Sequence, residues 1–149
     1  MKKKITIWFL CLSILSTQFL NAEGKFLSLK KSKVNVRYGP SFDSKIKYIY
    51  NKINLPVKQI DQKENFLRII DLKKNSGWIH VSQLKKSNSI ITLENKILFK
   101  KPSNFSKPIA RLDKGRLLVI KKCENSWCNI KTHDYTGWVK TKNIWGSAK

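Results

Sequence analysis

Short apolar segments alternate with polar residues along most of this chain. Val34 and Val36 are separated by one polar residue, which is the period-two pattern of a half-buried strand. Further short runs rich in Val, Ile and aromatic residues lie at Val57–Ile60, Phe66–Ile70 and Trp78–Val81. After the N-terminal region, no extended stretch keeps a clean helical stripe. The pattern predicts many short strands, as in a small all-β barrel or sandwich.

The strand pattern occurs twice, with a period of about 60 residues. Six matches keep the same order in both copies if two small gaps are allowed: Pro40-Ser41 with Pro102-Ser103, Lys45 with Lys107, Val57 with Val119, Phe66 with Trp127, Ile69 with Ile130, and Gly77-Trp78-Ile79 with Gly137-Trp138-Val139. We therefore expect a duplicated unit, with one domain at 25–85, a second at 89–146, and the polar segment Lys85–Ser89 as the linker.

The first 22 residues have the order of a secretory signal peptide. Three lysines precede the uncharged apolar run Ile5–Leu15, and a more polar stretch ends at Ala22, after which we expect cleavage. The apolar run is shorter than the roughly 20 residues that a membrane span needs, so we expect no transmembrane span in the mature chain. An uncleaved membrane anchor remains an alternative, as does a lipid anchor at Cys11, although bulky residues precede that cysteine.

Basic residues outnumber acidic residues by 31 to 9. Removal of residues 1–22 lowers the formal charge from +22 to +19, because three lysines and no acid are lost. A charge of this size attracts phospholipid headgroups and other anionic polymers of the cell envelope. Nucleic acid fits the charge equally well, but exported proteins seldom meet it, so we expect no nucleic-acid partner.

Two cysteines remain after the leader, Cys123 and Cys128, with four residues between them. They can face each other across a hairpin at the Cα separation of about 4.4–6.8 Å that a disulfide needs, and an exported protein meets an oxidising space. We predict a disulfide that contributes about 2 kcal/mol. A zinc site would need two more ligands, and only His133 is near. Redox catalysis would favour a two-residue spacing. We therefore expect neither a metal nor a cofactor.

Four motifs of the first unit follow one another in the order VNVRYGPS, LPV, NFLRI and GWIHVSQL. They resemble the bacterial Src-homology-3 (SH3b) domain, with Phe66 where that family usually has Trp. The second unit lacks the Asn-Val-Arg opening, and its CENSWCNIK and GWVKTKNIWG resemble the second half of exported bacterial tandem SH3-like proteins. The resemblance covers about 33–145 and implies two tandem SH3-like β-barrels after the signal peptide, the second of them degenerate and closed by the disulfide.

Aromatic and charged residues gather around the long loop of the first unit. Peptide-binding Src-homology-3 domains use aromatic-lined grooves between such loops. We expect Arg37 or Lys45 to hold a carboxylate and Asp43 to hold an amine. Tyr38, Tyr48 and Trp78 are expected as aromatic contacts. A cell-wall stem peptide offers both groups. Core packing for the tryptophan, and an ordinary strand position for Tyr48, remain alternatives.

The sequence gives no indication of a catalytic arrangement. His80 and His133 are its two histidines, it has only six glycines and no glycine-rich phosphate loop, and the predicted disulfide leaves no free thiol in the mature chain. We expect a non-enzymatic protein, periplasmic or on the cell surface, that binds cell-wall peptide or another anionic envelope polymer. The alternatives are an adaptor for an envelope protein and an accessory subunit of an envelope hydrolase.

Overall fold

The computed structural model describes residues 24–133 and 135–148, so the predicted signal peptide at 1–22 lies outside the described residues. The first half of the described chain contains β1 (Phe26–Leu29), β2 (Val34–Arg37), β3 (Ile46–Tyr50), β4 (Pro56–Lys63), β5 (Phe66–Ile70), β6 (Ser76–His80), one 3-10 turn (Val81–Gln83) and β7 (Leu84–Lys86). The second half contains β8 (Ser89–Thr92), β9 (Lys96–Phe99), β10 (Pro108–Leu112), β11 (Leu117–Glu124), β12 (Trp127–Thr132), β13 (Tyr135–Lys140) and β14 (Ile144–Gly146). Within these residues, no helix has the length and apolar character that crossing a membrane requires.

The strands form two antiparallel sheets of seven strands each. The order is β3-β2-β6-β5-β4-β1-β7 in the first sheet and β10-β9-β13-β12-β11-β8-β14 in the second. The two orders become identical when β1 is matched with β8 and each later strand with its counterpart. This repeated topology confirms the predicted all-β fold of two tandem SH3-like barrels.

Each barrel has a separate hydrophobic core. The first core is built from alternate inward-facing residues of its strands: Leu27, Leu29, Val34, Val36, Val57, Leu67, Ile69, Ile79 and Leu84. The second is built in the same way: Ile90, Leu98, Leu112, Leu118, Cys128, Ile130 and Val139. Because burial of these side chains drives the folding of each half, the two halves are separate hydrophobic units.

One of the six sequence matches between the copies is wrong. Val57 is fully buried and lies opposite Leu27 of β1, and the residue in this place in the second barrel is Leu118, which is also fully buried and lies opposite Ile90 of β8. The sequence match paired Val57 with Val119, one position later. A slip of one residue turns a strand side chain to the other face of the sheet. In the alignment of the two copies, the one-residue gap therefore lies before β4 and not after it.

Cys123 and Cys128 form the predicted disulfide. They lie directly opposite each other in the β11–β12 ladder, next to the hairpin end at which Glu124 pairs with Trp127. Their Cα atoms are 4.0 Å apart, closer than the expected range of about 4.4–6.8 Å and closer than the separation of about 4.5 Å between directly opposed residues in a non-hydrogen-bonded antiparallel pair. The bond therefore joins two adjacent strands of one hairpin.

The two barrels touch directly. Only Ser87 and Asn88 lie between β7 and β8, so the segment expected as a linker, Lys85–Ser89, is largely strand. Ser28 and Ser89 are fully buried, with their hydroxyl oxygens 2.8 Å apart, and the backbone N–H of Asn88 donates to Ser28 Oγ at 3.2 Å. The serine contact joins β1 of the first barrel to β8 of the second.

Trp145 of β14 adds an aromatic contact at the same junction. Its indole N–H donates to the carbonyl oxygen of Pro56 in β4, at 3.0 Å. Its ring packs edge-on against Phe26 of β1, with 5.1 Å between ring centroids. A tryptophan near the C-terminus thus packs on the first barrel.

Candidate functional site

Three large polar or aromatic side chains form a row across the outer face of the first barrel. Trp78 of β6 lies directly opposite Arg37 of β2 on one side and Arg68 of β5 on the other. Directly opposed residues project from the same face of a sheet. Val36 precedes Arg37 in β2, and Ile79 follows Trp78 in β6; both are fully buried and face the core. Because successive side chains of a strand point to opposite faces, the row lies on the solvent side of the sheet.

Tyr38 and Lys47 extend this row into a cleft of about 250 Å³. The cleft is lined by Arg37, Tyr38, Lys47, Arg68, Ser76, Gly77 and Trp78. The Lys47 ammonium donates to the carbonyl oxygen of Ser76 at 2.9 Å and lies 5.6 Å from the ring centroid of Tyr38. Three cationic side chains and no carboxylate line the cleft, so its chemistry suits an anionic group. We call it the Trp78 cleft.

The Arg37 side chain also holds the neighbouring loop in place. Its Nη1 donates to the carbonyl oxygens of Phe42, at 2.9 Å, and Ser44, at 2.7 Å. The backbone N–H of Tyr38 donates to the carbonyl oxygen of Lys45 at 3.1 Å and closes the loop at its base. Arg37 therefore has a structural role in addition to any contact with a ligand.

The Arg68 side chain forms no hydrogen bond to any residue that the structure describes at 24–133 or 135–148. Its other cross-strand neighbour is Asp61, at the β4–β5 bulge, and no ion pair forms between them. Asp61 Oδ1 accepts a hydrogen bond from the backbone N–H of Gln62 at 2.7 Å. The exposed guanidinium of Arg68 is thus free to form a bidentate contact with a ligand carboxylate.

An aromatic cluster behind the loop was not predicted from the sequence. Phe42, Phe66 and His80 lie with their ring centroids 4.9–5.1 Å apart. His80 Nδ1 lies 2.8 Å from the hydroxyl of Ser82, so this histidine is engaged in local structure. Across 24–133 and 135–148, no group of three or more His, Cys, Asp and Glu side chains could hold a metal ion.

The structure brings three of the five predicted binding residues together and places the other two elsewhere. Arg37, Tyr38 and Trp78 line one cleft. Asp43 lies at the exposed tip of the loop, where its backbone N–H bonds to Ser41 Oγ. Tyr48 lies opposite the fully buried Val36 and packs against the core, so it faces inward.

Tyr48 belongs to a hydrogen-bonded group that ends at a buried carboxylate. Its hydroxyl is 3.3 Å from that of Tyr50, and the Tyr50 hydroxyl donates to Asp71 Oδ2 at 2.9 Å. Asp71 also accepts from the backbone N–H and the side-chain amide of Asn75, at 2.9 and 3.0 Å. Burial raises the pKa of the Tyr50 phenol well above its ordinary value, and the bond to Tyr48 and the charge of Asp71 raise this pKa further.

We expect this tyrosine group to make stability pH-dependent in the alkaline range. The pKa of Tyr50 is higher in the folded chain than the value of about 10 in the unfolded chain. Its contribution to stability is therefore complete below about pH 10 and is lost as the pH rises further. The free energy of unfolding, measured by denaturant titration from about pH 8 to about pH 11, should fall more steeply for wild type than for Tyr50→Phe. Lysine titration is common to both proteins, so parallel curves would contradict this assignment.

The second barrel lacks the arginines of the row. Trp138 is its counterpart of Trp78, and it lies opposite Phe99 and Asn129. The Lys122 ammonium lies 5.2 Å from the Trp138 ring centroid. Within the part of the chain that the structure describes, the Arg-Trp-Arg row is therefore found in the first barrel and not at the matching place in the second.

Comparison with known proteins gives one family match. A family profile described as Bacterial SH3 domain matches residues 30–86 and 94–146. No curated protein matches the chain. The solved structure of NlpC2 from Trichomonas vaginalis is 12% identical, with a TM-score of 0.38, over 82% of this chain and 48% of that chain. NlpC1 from the same organism is 12% identical, with a TM-score of 0.37, over 81% of this chain and 45% of that chain. The chain thus spans about half the length of these two proteins.

Proposed function

This chain belongs to the bacterial SH3 domain family and contains two tandem copies of the domain, and we propose that its first barrel binds a carboxylate-bearing peptide or polymer of the cell envelope. Bacterial SH3 domains are often cell-wall binding modules. The units are proposed to span 25–85 and 89–146. The observation that carries the proposal is the Trp78 cleft, where three cations and two aromatic rings meet on one exposed face.

The chemistry of the cleft fits the end of a peptide. Arg68 offers a planar guanidinium for bidentate pairing with a carboxylate, and Arg37 and Lys47 supply further positive charge. The rings of Tyr38 and Trp78 can pack against the apolar parts of the ligand. Tyr48 and Asp43 are left out of the proposed site, because the first packs on the core and the second does not line the cleft.

We expect Arg68→Ala to weaken binding about tenfold, since a hydrogen bond to a charged group contributes about 1.5–3 kcal/mol. We expect a similar loss for Tyr38→Ala, since burial of a large apolar side chain contributes about 1.5–3 kcal/mol. Both side chains are exposed, so the barrel should remain folded. The first measurement is retention on purified cell-wall sacculi. The second is titration with a short peptide that has a free C-terminal carboxylate, and with the same peptide amidated.

Tyr135→Ala is the matched control, because Tyr135 is an exposed tyrosine of the second barrel. It should bind like wild type. Retention should persist at about 200 mM salt, where attraction between exposed charges is largely screened beyond about 8 Å. Equal affinity for the free and amidated peptides, or retention that Tyr38→Ala and Arg68→Ala leave unchanged, would refute the proposed site.

We further propose that the protein has no catalytic activity and acts outside the cytoplasm, in the periplasm or on the cell surface. A bacterial SH3 domain is typically a non-catalytic binding module. The two cysteines of the second barrel are joined in the Cys123–Cys128 disulfide, a bond that persists in oxidising compartments. Zymography of the purified chain on cell-wall substrate should show no clearing; clearing would contradict the proposal.

A further inference from the structure

A loop of the second barrel, residues 100–107, is held in a fixed turn by its own hydrogen bonds. The backbone N–H of Lys100 donates to the carbonyl oxygen of Lys107 at 3.0 Å, and that of Ser106 donates to the carbonyl oxygen of Ser103 at 3.2 Å. Ser103 Oγ accepts from the backbone N–H of Phe105 at 3.2 Å. Ser106 Oγ accepts from that of Lys101 at 2.9 Å. We call this segment the Phe105 loop.

The tip of the Phe105 loop presents an apolar ring among positive charges. Phe105 is 99% exposed, whereas side chains of this size are usually largely buried. Lys100, Lys101 and Lys107 lie in the same loop and are exposed, and the loop contains no acidic residue. An aromatic ring flanked by lysines is the composition of segments that lie at the boundary between lipid headgroups and acyl chains.

We propose that the Phe105 loop docks the protein on an anionic phospholipid bilayer. The Phe105 ring enters the boundary between headgroups and acyl chains, and the three lysines face lipid phosphates, which attract juxtamembrane lysines. Because the turn is already closed by its own hydrogen bonds, docking does not require the loop to become ordered. This surface belongs to the second barrel and is separate from the Trp78 cleft of the first.

The first barrel contains the same turn with a different residue at the position of Phe105, and its own phenylalanine, Phe42, packs on Phe66 and His80. There the backbone N–H of Asp43 donates to Ser41 Oγ at 3.1 Å, and that of Ser44 donates to the carbonyl oxygen of Ser41 at 3.3 Å. Asp43 thus takes the place that Phe105 has in the second barrel. Since the turn forms around either residue, the phenylalanine is not needed for the loop to fold, and it can be replaced without loss of the turn.

The test uses the full chain with vesicles of phosphatidylcholine alone or mixed with phosphatidylglycerol, and measures co-sedimentation. Wild type should bind the mixed vesicles and should bind phosphatidylcholine vesicles far more weakly. Phe105→Ser, which keeps the net charge, should lower the affinity for mixed vesicles about tenfold, since it removes a ring that the bilayer would bury. Asp43→Phe, in the matching turn of the first barrel, should raise that affinity.

Phe105→Leu is the conservative control and should retain most of the affinity. All variants carry the same N-terminal region, so any contribution of the apolar leader is equal among them. Thermal unfolding should be unchanged in Phe105→Ser, as expected for a fully exposed side chain. Tyr38→Ala should bind vesicles like wild type, because it alters only the Trp78 cleft, so the two sites succeed or fail separately.

Two results would overturn the proposal. In the first, Phe105→Ser binds mixed vesicles as tightly as wild type, so that charge alone accounts for attraction to the membrane. In the second, Phe105→Ser loses retention on sacculi while its vesicle binding is unchanged, which would assign the loop to a cell-wall polymer instead.

Discussion

Replacement of Gly77 by alanine is expected to lower the free energy of unfolding by about 1–3 kcal/mol, the usual cost of forcing extra volume into a packed core. A Cβ atom at this position would collide with Cγ1 of Val36 and would lie 3.0 Å from the carbonyl oxygen of Arg37. Both obstacles belong to β2, and Val36 is fully buried. Neither can move without displacing the strand that carries Arg37.

The same restriction exists in the second barrel, which indicates a property of the fold. A Cβ at Gly137 would lie 2.7 Å from the carbonyl oxygen of Phe99 and 2.8 Å from Cγ of Leu98. In both barrels a glycine lets the strand with the outward-facing tryptophan approach its neighbour closely. Gly77→Ala should therefore also weaken ligand binding, because it moves Trp78 away from Arg37.

Gly39→Ala is the matched control. A Cβ there would lie 2.7 Å from Ser44 Oγ, a hydroxyl that can rotate away, so the expected cost is about 0.5 kcal/mol or less. Denaturant titration followed by tryptophan fluorescence measures both variants. If Gly77→Ala were as stable as Gly39→Ala, the close approach of β2 and β6 would not be a packing requirement.

Replacement of Trp145 by alanine is expected to cost about 2 kcal/mol and to uncouple the barrels. Loss of a fully buried tryptophan side chain costs about 3–5 kcal/mol, and Trp145 is partly exposed. The variant loses the edge-on packing on Phe26 and the hydrogen bond to Pro56. Because the barrels have separate cores, calorimetry should resolve two unfolding transitions in the variant, whereas we expect one in the wild type.

Trp145→Phe separates the two contributions. It keeps a six-membered ring against Phe26 and loses the pyrrole part of the indole with its N–H, so it should cost about 1 kcal/mol and retain a single transition. A single transition in Trp145→Ala at the wild-type temperature would show that the contact does not couple the barrels. The buried Ser28–Ser89 contact would then be the next candidate for the coupling.

Strand composition and the disulfide could be predicted from local patterns. Alternation at Val34 and Val36 predicted a strand with one buried face, and both valines are fully buried. The spacing of Cys123 and Cys128 predicted a disulfide across a hairpin, and the two residues form that bond. Both inferences concern residues that are near in sequence, for which side-chain period and loop length fix the geometry.

The site was only partly predictable, because it depends on which strands are neighbours. Arg68 and Lys47 line the Trp78 cleft and were missed, since the sequence does not show that β6 lies between β2 and β5. Tyr48 was predicted as a binding residue, but it lies opposite the buried Val36, and that register fixes the face it takes. The match of Val57 with Val119 also failed for lack of register information. From sequence alone, the one-residue gap between the two copies can be placed at several positions, and only the strand pairing shows which position is correct.

The short connection between β7 and β8 has a mechanical consequence. With two residues between the barrels and buried serines in contact across them, the chain has no slack at its midpoint. A change in the relative orientation of the barrels has to bend this two-residue connection or break the serine contact. The orientation of the Trp78 cleft relative to the Phe105 loop therefore depends on the packing at this junction and not on the length of a linker.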